Sequence, residues 1–294
     1  MNLVHKLTLS VASLFLTNLA IAQTGDPAVN TNRIVNADWQ NSLVPDGVID
    51  RVEHDARLIA TPRIREIDVA WKRRVWRVID VRQKANQAFI YRGDEFSGGG
   101  AFIEILLHGV KNKDLEAYTS DRFTAELTTE AFEDLTAGAV DSTSVIDPIT
   151  GGETIEVTTT VFNPQSVTKY RLKEDWILDR NRGKMIVQII GISPLRAIHD
   201  PSTGQYLTDG PMFWVYYPDA RLYLSKFEVY NPRNDMKRLS WADYLDMRYF
   251  TSYVYKTNAN NPQELSFEKG LRGLEEGEQA MQDIYNKAMN MWEN

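Results

Sequence analysis

Apolar positions along the chain change their spacing twice, and the changes divide it into helix, strand and helix again. Thr61-Pro62 reads as an N-cap followed by Pro in a first helical turn. Beyond it Ile64, Ile67, Trp71, Val75, Val78, Ile79 and Ala85 recur mostly at three- and four-residue intervals. That spacing predicts an amphipathic helix of roughly six turns. The apolar run Ala101-Phe102-Ile103-Glu104-Ile105-Leu106-Leu107, behind Ser97-Gly98-Gly99-Gly100, predicts a second helix, and residues 128–135 a short third. Residues 137–152 read as a loop.

The period then shortens to two. Residues 154–162 are rich in β-branched side chains, and residues 167–172 alternate. Residues 176–178 and 185–190 flank Asp179-Arg180-Asn181-Arg182-Gly183, which predicts a hairpin with Gly at the turn. Residues 212–217 and 222–230 flank Pro218-Asp219-Ala220-Arg221, which predicts a second one. Helical spacing returns at Ser240-Trp241-Ala242-Asp243, a capping-box-like start continued by residues 244–256. Ser266 caps a predicted final helix with Phe267, Leu271, Leu274, Met281, Ile284, Tyr285, Ala288 and Trp292 on one face and Glu275, Glu276 and Glu278 opposite. The expected fold class is therefore α+β, with N-terminal helices, central antiparallel β hairpins and C-terminal helices.

The first residues follow a different logic. A short start carrying Lys6, an apolar run over residues 7–20 and Ala20-Ile21-Ala22 before Gln23 match a secretory signal peptide. Cleavage is expected at about Ala22/Gln23, so residues 1–22 form the signal peptide. Residues 23–41 are polar and rich in Asn, Asp and Thr, and residues 23–48 read as an extended arm. Residues 49–294 are left as a single α+β domain. No second apolar stretch approaches bilayer-spanning length, so no transmembrane span is expected in the exported chain.

Composition narrows the function more than the fold. The chain has no Cys, which excludes disulfides, thiol nucleophiles and a lipid carried on Cys. Net charge is −7, which argues against nucleic acid as a partner. Within this acidic chain one stretch is basic: Arg63, Arg65, Lys72, Arg73, Arg74, Arg77, Arg82 and Lys84 against Glu66, Asp68 and Asp80. Such local asymmetry suits docking to an acidic surface. The four His show no metal-binding spacing, and Gly-x-Ser-x-Gly is absent. Glu174 and Asp175 are adjacent on a predicted strand, so they point to opposite faces and do not form a carboxylate pair. No catalytic residues, metal site or cofactor are assigned.

Several phrases together carry a resemblance. Lys72-Arg73-Arg74-Val75-Trp76-Arg77-Val78-Ile79-Asp80-Val81-Arg82-Gln83-Lys84-Ala85-Asn86, Lys173-Glu174-Asp175-Trp176, Ile190-Gly191-Ile192-Ser193-Pro194 and Phe213-Trp214-Val215-Tyr216-Tyr217-Pro218-Asp219-Ala220-Arg221 occur in that order. Asn231, Asn234-Asp235 and Met247-Arg248-Tyr249-Phe250-Thr251-Ser252 continue the series. The chain resembles the GldN/PorN family. It departs from the family pattern at Tyr91-Arg92-Gly93, where Pro commonly follows the Tyr.

The resemblance implies a periplasmic, non-enzymatic structural component of the type IX secretion and gliding apparatus of Bacteroidetes, peripherally associated with the outer membrane. Its implied partners are a GldK/PorK-like outer-membrane lipoprotein, with which it would assemble into rings, and a GldM/PorM-like periplasmic motor domain. The candidate partner-binding residues are Arg73, Arg74, Trp76, Arg77, Arg82, Lys84, Trp176, Trp214 and Trp241. The basic helix and the acidic C-terminal helix suggest a head-to-tail contact of oppositely charged faces. Two other readings stay open at this point. One is a periplasmic glycan hydrolase whose carboxylates converge only in space; the other is a small-ligand binding module lined by Trp71, Trp176 and Trp214.

Overall fold

The computed structural model describes residues 58–91, 100–136, 140–146, 153–159, 162–200, 203, 205–231, 239–268 and 270–290, with the side chains of 140–159 excluded. The expected signal peptide and arm, Ser97-Gly98-Gly99, Asn234-Asp235 and Trp292 lie outside these residues. Helices and antiparallel strands are both present, and the α+β expectation holds.

The centre is a sheet ordered β11-β1-β5-β6-β8-β2, with β7 also paired to β6. Its strands are β1 (Val69–Asp80), β2 (Ala117–Tyr118), β5 (Lys169–Asp179), β6 (Lys184–His199), β7 (Tyr206–Pro211), β8 (Trp214–Tyr216) and β11 (Tyr253–Thr257). The predicted hairpin is the β5–β6 pair, and Gly183 supplies the left-handed residue at its turn (φ 60°). Helices α1 (Phe102–Lys111) and α2 (Thr129–Thr136) fall where the spacing placed them.

Four expectations are corrected. The predicted helix over 61–85 is mainly strand β1. Its apolar residues come as the pairs Val75–Trp76 and Val78–Ile79 because the strand is covered on both faces there. Pairs three residues apart imitate a helical period. The second predicted hairpin is instead helix α3 (Tyr217–Leu224), with Pro218 in its first turn and Tyr217, Ala220, Tyr223 and Leu224 buried at helical spacing. Residues 137–152 are not all loop, since β3 (Val140–Ile146) pairs with β4 (Glu153–Thr159).

The last correction concerns the C-terminal third. Ser240 does cap a helix, its hydroxyl accepting from Asp243 N at 3.0 Å, but α4 (Trp241–Asp246) stops before Arg248. Arg248 adopts φ 58°, and the chain then runs into β11 beside β1. The final helix, α5 (Leu271–Asn290), begins after Gly270 (φ 88°) rather than at Ser266. The short pair β9 (Glu228–Val229) and β10 (Leu239–Ser240) completes the described elements.

Two apolar clusters share this sheet. The larger holds Phe89 and Phe102, 5.3 Å apart between ring centroids and each 4.5–5.3 Å from Tyr170 and Trp241, under α1, α3 and α4. The smaller joins Val75, Trp176 and Val254 of the sheet to Met281 and Ile284 of α5. Helix α5 sits close because Gly277 faces β11: a Cβ there would lie 2.5 Å from the Val254 carbonyl oxygen.

Candidate protein-docking site

Strand alternation splits the basic segment between two faces of the sheet. Trp71, Val75 and Arg77 lie on the side covered by α5. Lys72, Arg74 and Trp76 lie on the other side and line a cleft of about 600 Å³. The register then decides what joins them: Arg74 lies opposite Asp175, and Trp76 lies between Lys173 of β5 and Lys256 of β11.

Trp76 forms the cleft floor. It is 3% exposed, its Nε1 donates to Asp121 Oδ2 at 2.8 Å, and the Lys256 Nζ sits 3.8 Å from its ring centroid. The Lys173 Nζ stands over the rings of both Trp76 and Phe123 and donates to the Asp121 carbonyl. Burial pushes this ammonium below its ordinary range, against the attraction of Asp121. The Arg74 guanidinium grips Asp175 through two bonds of 2.7 and 2.9 Å, and Lys72 Nζ is 2.5 Å from the same carboxylate. Burial alone would raise the Asp175 carboxyl; the hydrogen bonds from Arg74 and Lys72 outweigh it and hold the group below the usual range.

The rim comes from two loops. Asp121, Arg122 and Phe123 follow β2, while Asn258 and Glu264 follow β11. Asn258 accepts from Arg74 N at 3.0 Å and donates its own N–H to the Arg74 carbonyl at 3.1 Å, which fixes that loop to β1. Glu264 lies 3.5 Å from Lys256 and 3.6 Å from Arg122. In and beside the cleft, five cations (Lys72, Arg74, Arg122, Lys173, Lys256) face three carboxylates (Asp121, Asp175, Glu264). The site is cationic in a chain whose net charge is −7.

Only part of the expected partner-binding set converges here. Arg74 and Trp76 belong to the cleft. Arg73 is half-buried on the far face, over the Trp71 ring at 5.3 Å. Arg77 is held inside by Ser252 and Met281. Arg82 folds back onto Asp80 at 2.6 Å, and Lys84 is exposed in the short turn that follows β1. The three remaining Trp are interior. Trp176 meets Tyr285 edge-on, Trp214 meets Phe123, and Trp241 is 1% exposed within the larger cluster. The small-ligand lining of Trp71, Trp176 and Trp214 does not come together: Trp71 and Trp176 belong with α5, and Trp214 packs beside Phe123.

Lys173, Lys256 and Arg122 are not singled out by the helical reading, and Lys72 enters it only as one charge of the basic stretch. Lys72 and Lys173 sit inside two of the recognisable phrases, and period-two alternation opposite the β5 strand would have placed both beside Trp76. Glu174 and Asp175 point apart as strand geometry requires, Glu174 to Arg248 at 2.7 Å and Asp175 into the cleft. Among the described residues, no group of three or more His, Asp or Glu is placed to hold a metal ion.

Residues 64–293, from just before β1 through α5, match the family described as "Gliding motility associated protein GldN". The chain belongs to the GldN family. Comparison with curated proteins gave no match. The family ties this chain to gliding motility and to type IX secretion, and it is a family of machinery components rather than a known enzyme family. The matched span contains the cleft, both loops of its rim and the helix behind it. Among the described residues, no helix is long and apolar enough to cross a membrane.

Proposed function

We propose that this GldN-family chain is a non-enzymatic structural subunit of the type IX secretion and gliding apparatus. It is exported by a leader cleaved at about Ala22/Gln23 and works in the periplasm. There it assembles into rings with a GldK/PorK-like outer-membrane lipoprotein and contacts a GldM/PorM-like motor domain. Residues 49–294 act as one α+β unit.

The observation that carries this reading is the cleft itself. Two of the phrases that carry the resemblance, Lys72 to Trp76 and Lys173 to Asp175, meet there across neighbouring strands. Their polar groups are engaged with one another over a buried Trp76, which leaves a pre-ordered charged surface of the kind that borders protein interfaces. Asp175 accepts from two cations, which suits a carboxylate that shapes a surface rather than one that transfers protons. Charge on such a rim sets encounter rate and orientation more than raw affinity.

The test is purification of the affinity-tagged full chain from gently solubilised envelopes, followed by sizing and negative-stain imaging. The expected result is a large ring-shaped particle containing a lipoprotein partner and no requirement for added ligand. Recovery of a solitary chain whose activity on envelope glycan disappears on changing one carboxylate would overturn the proposal.

A further inference from the structure

We infer that the cleft of one copy receives one flank of helix α5 from the next copy, so that the ring is built from a single repeated head-to-tail contact. This rests on the ring-subunit reading above and supplies the surfaces that reading leaves unspecified.

Helix α5 has three distinct sides. Gly273, Gly277, Met281 and Ile284 face the sheet. At 100° per residue, Leu271, Leu274, Glu275, Glu278, Tyr285 and Met289 fall together on one outward flank. Four of these are exposed apolar side chains: Leu271 at 73%, Leu274 at 45%, Tyr285 at 51% and Met289 at 69%. Glu275 and Glu278 are exposed between them and make no ion pair among the described residues. The remaining flank is different in kind. It carries Arg272, Glu276, Asp283 and Lys287, whose charges balance, and Arg272 lies 3.4 Å from Glu268 and 3.7 Å from Glu276.

An exposed line of mixed apolar and acidic side chains suits a partner with surplus positive charge carried on long apolar stems. The cleft offers both, through the excess of lysine and arginine side chains around and over the buried Trp76 ring. The same chain thus carries both halves of one complementary contact. Their placement decides how copies use it. The cleft opens on one face of the β11-β1-β5 sheet, and α5 covers the opposite face. The segment joining them rounds the β11 edge, with Asn258 and Glu264 on the cleft side and α5 behind. A copy therefore cannot fill its own cleft with its own α5. A heterologous contact of this kind repeats from copy to copy and closes when the rotation permits.

The size of the contact sets where it can be seen. A 20-residue helix is about 30 Å long and about 10 Å across, so one flank covers roughly 300 Å² per side. Stable pairwise interfaces bury about 800 Å² per partner. The contact is thus too small to hold two isolated copies in dilute solution and forms where other partners already align them.

The absence of Cys makes the test direct. The full chain carrying Lys72→Cys and Glu275→Cys is expressed in cells, and solubilised particles are treated with a short bismaleimide. The expected result is a ladder of crosslinked copies, several-fold above either single variant. Co-expressed single variants give a mixed dimer, and moving the second site to Glu276→Cys on the other flank abolishes the ladder. Intact large particles without a ladder overturn this contact while leaving the ring reading standing. Capture of a different protein by the Glu275→Cys site does the same. Absence of any large particle from the unsubstituted chain removes both.

Discussion

Replacing Arg248 by Ala should cost more stability than any substitution on the cleft rim. Its guanidinium lies 2.7 Å from Glu174, whose carboxylate is 0% exposed and whose other oxygen accepts from Trp176 Nε1 at 3.2 Å. Truncating one member of a buried pair leaves the other charged and dry, a loss of about 3–5 kcal/mol. For a domain of this size that corresponds to a melting shift of roughly 6–20 °C. The backbone supplies an internal control. Arg248 sits at φ 58°, where Gly is tolerated better than Ala, so Arg248→Gly should be less harmful than Arg248→Ala by about 1 kcal/mol. The double variant Glu174→Gln with Arg248→Met should be less unstable than the two single losses added together, by about 1–3 kcal/mol. The assays are urea and thermal unfolding of the purified chain. A loss below about 0.5 kcal/mol for Arg248→Ala would be no more than an ordinary surface change and would refute the argument. The functional consequence is positional: with Glu174 held behind the sheet, Lys173 and Asp175 are fixed toward the cleft.

Two further outcomes follow from the same packing and charges. Gly277→Ala improves helix propensity by up to about 1 kcal/mol, yet its Cβ meets the Val254 carbonyl oxygen, and overpacking of that kind costs about 1–3 kcal/mol. The net change should be destabilising in urea melts, and Gly273→Ala should be worse, since its Cβ would lie 1.7 Å from the Glu268 oxygen; a stabilised Gly277→Ala variant would contradict the close seating of α5. Asp175 has a carboxyl held below its unfolded value, so its contribution is complete above about pH 4 and disappears as pH falls through the folded value. Asp175→Asn should therefore be less stable than the parent at pH 7 and should flatten that acid-side part of the stability profile, measured by urea unfolding at successive pH values.

How much of this was legible in the sequence depends on how many faces each segment buries. The β5–β6 hairpin was readable because Gly183 marks its turn and β-branched residues flank it. Helix α1 was readable because its apolar run is long and follows a glycine break. Strand β1 was misread because Val75–Trp76 and Val78–Ile79 are buried on opposite faces, and a two-faced strand carries no clean alternation. Helix α3 was misread because Pro218-Asp219 suits a turn and a helix start equally well. The end of α4 depends on Arg248 adopting a left-handed conformation, which no spacing rule announces for Arg.

The candidate site shows the same divide. The basic character of the 72–84 segment was visible in composition, but its division between two faces required knowing it was a strand. The three interior Trp were attractive as interface anchors by residue type alone, whereas Trp176, Trp214 and Trp241 fill the fold. Charge reversal at Arg74, a natural first experiment on the basic segment, would set a second carboxylate against the buried Asp175 and confuse folding with binding. Lys72 and Arg122, 45% and 70% exposed in their side chains, are the informative positions.

The most direct measurement is therefore the size distribution of solubilised envelope particles from cells expressing the chain with Lys72→Gln and Arg122→Gln, which remove charge without setting a new carboxylate beside Asp175. Unfolding of the purified variant should stay within about 1 kcal/mol of the parent, as for exposed charges. Its share in large particles should fall by tenfold or more, leaving it as single copies. Full incorporation of this stable, charge-neutralised chain would contradict the claim that the cationic cleft is the surface by which the protein assembles.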